Sequence, residues 1–261
     1  MIKAVFLDID GTLVSIHTHR PAPRTAEALL AAKAKGVHLF IATGRHTKVP
    51  EEGYILDLLP DCFDGFVGLT GQYCYARDGS VVHKAPLHPQ DVAAIKAVAG
   101  EYGVPYTFDY EDKVFISQVN DRVRRHNARI ALPIPQVAEM DVSREVYSIT
   151  LYIDPELERR VLLPCLKHSV TLNWIQGIAD VCAASGGKRA GIQAMLRRYG
   201  VPWENAMGIG DSDNDLSMLE CVGFPVAMGN ATPAVKAAAA YVSAACEEDG
   251  IHQAFAHYGL I

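Results

Sequence analysis

The sequence lacks the features that would direct the protein to a membrane, to nucleic acid or out of the cell. No stretch of about 18 consecutive apolar residues occurs, and the chain starts with a short apolar run rather than a cleavable hydrophobic segment. Basic residues form no long run, and the formal net charge is −6. We therefore expect neither membrane spanning nor secretion, and no nucleic-acid partner.

The six cysteines show no metal-binding or disulfide pattern. None of them belongs to a C-x-x-C pair, and their spacing is irregular. We expect reduced, mostly buried thiols in a cytoplasmic protein, because disulfides persist mainly in oxidising compartments. Internal repeats and low-complexity segments are also lacking, and 261 residues suffice for one large domain or two smaller ones.

Strand-like and helix-like patterns alternate at both ends of the chain. The apolar run at 4–7, the helical pattern at 25–35 and the run at 37–42 follow the β-α-β order of a parallel sheet. A helical pattern at 188–199 and an apolar run at 206–209 resume this order near the other end. The fold class that we expect is α/β, with a doubly wound, mainly parallel sheet.

The middle of the chain has a different texture. Helical patterns at 89–101 and 122–130 alternate there with strand patterns at 106–109, 114–117, 146–153 and 170–175. This alternation is typical of an α+β domain with an antiparallel sheet. The sequence therefore predicts a discontinuous core, residues 1–82 and 183–261, with an inserted domain at 83–182.

Two carboxylates, Asp8 and Asp10, follow the first apolar run and precede Gly11. If the strand continued through Asp10, both side chains would lie on one face at its carboxyl edge, where open α/β sheets bind ligands. Such oxygens could hold Mg²⁺, and one of them could attack an electrophile. The alternative is a simple Asx-turn followed by glycine.

Three further motifs carry polar groups at strand ends or helix starts. Thr43-Gly44-Arg45 predicts an anion site or an ordinary Ser/Thr turn. Lys188 begins a helix, where its charge opposes the helix dipole, so that it needs a nearby anion unless it is solvated. The acidic stretch at 211–215 indicates a cation site, although Asp and Asn also serve as helix N-caps.

In this order, the four motifs resemble those of the haloacid dehalogenase (HAD) superfamily. Ala227-Met228-Gly229-Asn230-Ala231 and Asp249-Gly250-Ile251 are similar to its Cof-type branch, subfamily IIB, whose members are mostly phosphatases of sugar phosphates and other small metabolites. The resemblance implies a HAD-like core, and the insert matches the cap domain of that branch in position and size. It also implies a Mg²⁺-dependent phosphatase acting on a small phosphorylated metabolite.

The resemblance also implies a role for each matching residue. Asp8 would be the nucleophile that accepts the phosphoryl group, and Asp10 the general acid and base. Mg²⁺ would be held by the Asp8 side chain, the Asp10 main-chain carbonyl and Asp211. Asp215 would orient Lys188. The phosphate oxygens would be held by the Ile9 amide, Thr43, the Gly44 amide, Lys188 and Asn214.

Substrate choice is left open by the sequence. Thr70-Gly71-Gln72 stands where relatives often have Asn-Gly-Ala, and Arg189 replaces a small residue after Lys188. The insert is expected to contact the leaving group. Trp174 and Asp180 are candidates outside the predicted site, because Trp174 could be a core residue and Asp180 a solvated residue of a strand that leads back to the core. A phosphomutase and a non-catalytic regulator that binds a phosphometabolite are the alternative functions, although a regulator would be expected to have lost Asp8 or Asp10. A receiver-like signalling domain is disfavoured by the Asp-x-Asp spacing and the long insert.

Overall fold

The computed structural model describes residues 1–129 and 132–261, without the side chains of Pro50, Glu51, Trp174 and Ile175. These residues form two compact units. The first contains Met1–Arg45, Tyr54–His83 and Lys188–Ile261, and the second contains His46–Gly53 and Lys84–Gly187. Within the second unit, the His46 Nε2 atom lies 2.7 Å from the Tyr110 main-chain oxygen.

The strands lie in one sheet per unit. In chain order they are β1 (Ala4–Leu7), β2 (His38–Ala42), β3 (Gly65–Gly68), β4 (Tyr73–Ala76), β5 (Val81–Lys84), β6 (Tyr106–Asp109), β7 (Val114–Ile116), β8 (Gln136–Val137), β9 (Ser148–Leu151), β10 (Ser169–Ile175), β11 (Ile178–Ala183), β12 (Ala206–Gly210), β13 (Phe224–Ala227) and β14 (Tyr241–Val242).

The α-helices are interleaved with the strands. They are α1 (Thr25–Ala34), α2 (Pro50–Gly53), α3 (Pro89–Tyr102), α4 (Asp121–Arg129), α5 (Pro155–Leu157), α6 (Lys188–Tyr199), α7 (Leu216–Leu219), α8 (Pro233–Ala238) and α9 (Gly250–His257). Short helices of other types occur at Tyr54–Leu58, Leu69–Gly71, Glu158–Leu162, Leu163–Cys165, Trp203–Asn205, Asp213–Asp215 and Cys246–Glu248.

The sheet of the first unit confirms the predicted fold class. Its strand order is β14-β13-β12-β1-β2-β3-β4-β5. The pairs from β14 to β3 are parallel, whereas β3 and β4 are antiparallel. β1 lies between β12 and β2, so the predicted motifs that follow β1, β2 and β12 are all at the carboxyl ends of adjacent strands.

Both faces of this sheet are buried, which explains the continuous apolar character of β1. Val5 and Leu7 pack in a cluster that includes Leu29 of α1 and Phe255 of α9. The alternate residues of β1 pack on the other face, where Phe6 joins a cluster that contains Met195 of α6. Helices cover both faces, as the doubly wound arrangement requires.

The sheet of the second unit has the order β10-β11-β9-β6-β7-β8 and is mainly antiparallel. β11 was not predicted from the sequence. It forms a hairpin with β10 through Gly177, a residue with φ +86°. Asp180 therefore belongs to a strand paired on both sides, and its Oδ1 accepts a hydrogen bond of 2.6 Å from Thr150 Oγ1. The Trp174 side chain lies outside the described part of the chain.

Some element boundaries differ from the predictions. The helix predicted at 122–130 is α4, and residue 130 lies outside the described residues. The helix predicted at 89–101 is α3, which extends by one residue to Tyr102. The six cysteines are free thiols, and all but Cys165 are buried. Within the described ranges, each helix is too short or too polar to cross a membrane.

Candidate active site

Asp8 follows β1 directly, and its environment corrects one sequence argument. The strand ends at Leu7, so alternation along a strand does not set the relative directions of Asp8 and Asp10. Asp8 is instead fixed by its main-chain amide, which donates a 3.1 Å hydrogen bond to the Ile209 carbonyl of β12. Only 4% of the residue is exposed. The sheet therefore holds Asp8 at its carboxyl edge, in a buried position.

A tight turn after Asp8 lies against the carboxylate of Asp211. The Ile9 carbonyl accepts hydrogen bonds from the amides of Thr12, Leu13 and Val14 at 2.9–3.2 Å. Gly11 has φ +84°, and a Cβ atom there would collide with the Asp211 carboxylate. Thr12 Oγ1 donates a 3.0 Å hydrogen bond to Asp211 Oδ1. Glycine is required at position 11 both by the backbone angle and by this close approach.

Lys188, the first residue of α6, is fully buried between two carboxylates. Its Nζ lies 2.7 Å from Asp8 Oδ1 and 2.5 Å from Asp215 Oδ1. The other Asp215 oxygen accepts the main-chain amides of Asp211 and Ser212 at 3.0 and 3.2 Å. The structure thus brings together Asp8, Lys188 and Asp215, which the sequence places 180 and 27 residues apart.

The ionisation of these groups reflects burial and mutual charge. Burial would lower the pKa of Lys188, but Asp215 and Asp8 raise it above its usual value, so the ammonium stays charged. Burial raises the pKa of Asp8 well above its usual range, against the opposing effect of Lys188. Burial and then Asp215 raise the pKa of Asp211 to about 7. The site therefore holds more carboxylate than one lysine can balance.

This carboxylate surplus fits a divalent metal ion. Asp8, Asp211 and Asp215 each offer one oxygen within 4.8 Å of the others, and hard oxygen ligands are those that Mg²⁺ and Ca²⁺ bind. Both Asp215 oxygens already accept hydrogen bonds, from Lys188 and from main-chain amides, which makes Asp215 a partner of Lys188 more than a metal ligand. Because Gly11 has no side chain, the Asp211 carboxylate can lie directly against the main chain of the turn.

The predicted phosphate-binding residues follow the strands on either side of β1. Thr43 comes after β2 and is 1% exposed, and its Oγ1 accepts the Arg45 amide at 3.1 Å, which leaves the hydroxyl proton for another acceptor. Gly44 is exposed. Asn214 lies after β12, where its Oδ1 accepts a 2.5 Å hydrogen bond from Ser212 Oγ, a contact that uses the amide oxygen and not the amide protons. Ile9 lies in the turn after Asp8.

Arg45 is a further candidate site residue that was not predicted from the sequence. Its guanidinium forms a two-pronged ion pair with Asp10, with Nε to Oδ2 and Nη2 to Oδ1 distances of 2.7 Å each. Thr12 was also missed, although its hydroxyl fixes Asp211. Both residues stand inside motifs that the sequence analysis singled out, so their positions could have marked them as candidates. Their partners, Asp10 and Asp211, lie in other segments of the chain, which only the fold brings close.

Comparison with known proteins establishes the family. A family model for haloacid dehalogenase-like hydrolases matches residues 5–255. The chain therefore belongs to the haloacid dehalogenase-like hydrolases, and the predicted resemblance is confirmed.

Two solved structures show how specific the similarity is. The HAD subclass IIB sugar phosphatase BT4131 is 37% identical, with a TM-score of 0.89 and coverage of 99% of this chain and 100% of that chain. BT1666 from Bacteroides thetaiotaomicron, analysed among phosphatases of the same superfamily, is 31% identical, with a TM-score of 0.89 and coverage of 100% and 96%.

Curated relatives agree with the solved structures. A Streptococcus pyogenes protein whose name joins a phosphatase to a peptidyl-prolyl cis-trans isomerase is 28% identical over all of this chain, which spans about half (54%) of that protein's length. The 5-amino-6-(5-phospho-D-ribitylamino)uracil phosphatase YcsE of Bacillus subtilis is 25% identical, covering 99% of this chain and 96% of that protein. The chain is a phosphatase of this family and acts on phosphorylated small molecules.

Proposed function

We propose that the protein hydrolyses sugar phosphates and related phosphate monoesters with bound Mg²⁺, through a phosphorylated Asp8. The observation that carries this proposal is the Lys188 ammonium 2.7 Å from Asp8 Oδ1. It puts a nucleophilic oxygen and a fixed positive charge at one place. Phosphoryl transfer needs little beyond positioning and charge neutralisation, so this pair supplies a large part of what the reaction requires.

Two displacements at phosphorus make up the reaction. In the first, an Asp8 oxygen attacks phosphorus, the bond from phosphorus to the leaving-group oxygen breaks, and Asp10 gives that oxygen a proton. In the second, Asp10 takes a proton from water, the water oxygen attacks phosphorus, and the bond to Asp8 breaks. The products are the alcohol and inorganic phosphate. The covalent route replaces one difficult step by two easier ones.

The phosphate group would be held from several sides. Thr43 and Asn214 would donate side-chain hydrogen bonds, the Ile9 and Gly44 amides would donate from the main chain, and Lys188 would add a charge. Asp215 supports this arrangement indirectly, because its oxygens bind both the Lys188 ammonium and the Asp211 amide. Donors fixed by the fold need no reorganisation when charge develops on the phosphate.

Mg²⁺ would be held by the Asp8 side chain, the main-chain carbonyl of Asp10 and Asp211. When bound, the cation neutralises charge on the phosphate oxygens and on the carboxylates around them. The raised pKa values of Asp8 and Asp211 support this assignment, because buried carboxylates without a cation are poorly stabilised.

The substrate class is proposed from the relatives. BT4131 is named a sugar phosphatase, and YcsE is named for a substrate with a phosphorylated ribityl chain. Both names describe a phosphate on a polyhydroxylated carbon chain. We also propose that the inserted domain, about residues 83–182, acts as the cap that selects the leaving group, while the core at 1–82 and 183–261 carries the chemistry.

Release of inorganic phosphate from a panel of pentose and hexose phosphates, with p-nitrophenyl phosphate as an activated reference, tests the proposal. We expect Mg²⁺-dependent release from the sugar phosphates, and none from Asp8→Asn. Product analysis by NMR of the same reactions separates the alternative functions. Conversion of one sugar phosphate into an isomer without free phosphate would identify a phosphomutase, and binding without turnover would identify a regulator.

A further inference from the structure

Arg45 forms a bidentate ion pair with the Asp10 carboxylate. The Nε and Nη2 atoms lie 2.7 Å from the two different oxygens of Asp10. Two charge-assisted hydrogen bonds in this fork geometry fix the plane of a carboxylate, which a single contact cannot do. The Arg45 side chain is 14% exposed and that of Asp10 is 42% exposed, so a mostly buried guanidinium holds a carboxylate that stays partly open to solvent.

The main chain of Arg45 is itself fixed. Its amide donates a 3.1 Å hydrogen bond to Thr43 Oγ1, and its carbonyl accepts a 3.1 Å hydrogen bond from the Leu69 amide. Thr43 follows β2 and Leu69 follows β3, the next strand of the sheet. The guanidinium therefore extends from a backbone position that two adjacent strands determine. A side chain anchored in this way can transmit a fixed direction to its partner.

We propose that Arg45 is a positioning residue for proton transfer by Asp10, an inference that rests on the proposed function. Each carboxylate oxygen has two lone pairs, and the fork occupies one on each oxygen. The other lone pairs remain available for the proton that Asp10 gives to the leaving group or takes from water. Arg45 directs those lone pairs by preventing rotation of the carboxylate. It forms no bond to the phosphorus-containing group in this role.

The alternative roles of Arg45 predict different kinetics. If Arg45 bound the phosphate directly, its removal would weaken the binding of inorganic phosphate and would slow phosphoenzyme formation from every substrate. A merely structural residue would lower all rates together with stability. A positioning residue for Asp10 instead matters where a proton must move: in departure of an alkoxide leaving group and in attack by water.

The experiment compares Arg45→Met, Asp10→Asn and the double variant in single-turnover reactions. The substrates are a hexose 6-phosphate, whose leaving group needs a proton, and p-nitrophenyl phosphate, whose leaving group does not. For Arg45→Met we expect phosphoenzyme formation from the hexose phosphate to fall about 10²-fold, the scale of a misplaced catalytic group. Formation from p-nitrophenyl phosphate should change less than about 5-fold, and inhibition by inorganic phosphate should be unchanged.

The double variant gives the sharpest readout. If Arg45 acts through Asp10, its removal from Asp10→Asn causes no further loss, because groups that act as a unit are not additive. Arg45→Lys should recover part of the hexose phosphate rate. Arg77→Met is the matched control, since Arg77 forms an exposed ion pair with Asp61 at 2.6 Å, and its rates should equal those of the unmodified protein.

Additive losses, equal losses on both substrates, or weaker inhibition by phosphate would each overturn the positioning role. A different result would refute the proposed function instead: wild-type protein that releases phosphate without forming a phosphoenzyme. In that case the double-variant comparison, made on rates of phosphate release, still decides whether Arg45 acts through Asp10.

Discussion

Lys188 and Asp8 form a buried ion pair, with Nζ 2.7 Å from Oδ1, and Asp215 holds the other side of the same ammonium. The lysine has no exposed surface. Two carboxylates thus share one cation in a position that water does not reach. If the Lys188 charge were removed, the carboxylates of Asp8 and Asp215 would remain buried without a compensating cation.

Lys188→Met should therefore impair both activity and stability. We expect turnover to fall about 10²–10³-fold, as when one preorganised donor is lost, and the free energy of unfolding to fall by about 3–5 kcal/mol. Denaturant unfolding and phosphate release measure the two effects. Lys84→Met, which breaks an exposed pair with Glu145, is the control and should cost less than about 1 kcal/mol.

A double variant separates the two roles of Lys188. In Lys188→Met with Asp215→Asn, one charge of each sign is removed, so we expect part of the stability to return without any activity. A double variant as unstable as Lys188→Met would show that Asp215 is not the carboxylate left uncompensated.

Removal of metal ions should abolish turnover reversibly. The carboxylates of Asp8 and Asp211 supply hard oxygen ligands, with raised pKa values that a cation would offset. We expect no phosphate release after exhaustive EDTA treatment, full recovery with Mg²⁺, and poor recovery with Ca²⁺, whose coordination shell is larger and looser. Undiminished turnover in EDTA would refute the metal requirement.

Asp109 should make stability depend on pH in a direction opposite to that of most carboxylates. Burial first, and then the charges of Glu52 and Asp180, raise its pKa well above the usual value of 3.8. Between the unfolded and folded pKa values the folded protein keeps a proton that the unfolded chain has lost, so stability falls as pH rises through that window. Above the pKa of Asp109 in the folded protein, the whole loss of stability caused by ionising this buried carboxyl remains.

Asp109→Asn should remove this penalty. The variant resembles the protonated acid, so we expect its melting temperature to exceed that of the unmodified protein at pH 8, with the difference shrinking towards pH 4. Asp121→Asn, at an exposed position in the first turn of α4, is the control and should change stability by about a few tenths of a kcal/mol at both pH values. A difference that does not depend on pH would contradict the assignment to Asp109.

Thr70 has a strained left-handed backbone conformation, and a residue that tolerates positive φ should reduce the strain. Leu69 and Thr70 both have positive φ, of 50° and 53°, and the Thr70 amide donates a 2.9 Å hydrogen bond to the Thr43 carbonyl. A β-branched residue is poorly suited to this left-handed region, whereas Asn tolerates it. We expect Thr70→Asn to raise the melting temperature by about 2–4 °C. Thr70→Val keeps the strain and should bring no gain.

The sequence predicted the core of the fold because each element carries its own signal. β1 is an unbroken apolar run, and α6 runs from Lys188 to Tyr199 as its pattern indicates. β11 was missed because Ile178–Ala183 follows β10 after only two residues, and Gln176-Gly177 is a weaker hairpin signal than Asn-Gly. The apolar run predicted at 4–7 coincides with β1, whereas the tight turn after Asp8 could not be predicted, because it depends on main-chain hydrogen bonds to the Ile9 carbonyl.

The candidate site was predictable as residue types but not as contacts. Asp8, Lys188 and Asp215 stand in motifs that identify them, yet the distances between them depend on strand order. The pairing of Arg45 with Asp10 could not be predicted from the sequence, because the two residues are 35 positions apart and only the fold brings them together. Strain at Leu69 and Thr70 has no sequence signal except that neither residue favours a positive φ.

The identity of the phosphorylated residue decides whether Asp8 is the nucleophile. In rapid-quench reactions with ³²P-labelled p-nitrophenyl phosphate, the unmodified protein and Asp10→Asn should both become labelled, and Asp10→Asn should hold the label longer because its base is missing. Asp8→Asn should take up no label, and peptide mapping should place the label of the other two proteins on Asp8. Labelling of Asp8→Asn, or a labelled peptide that lacks Asp8, would contradict the proposed mechanism.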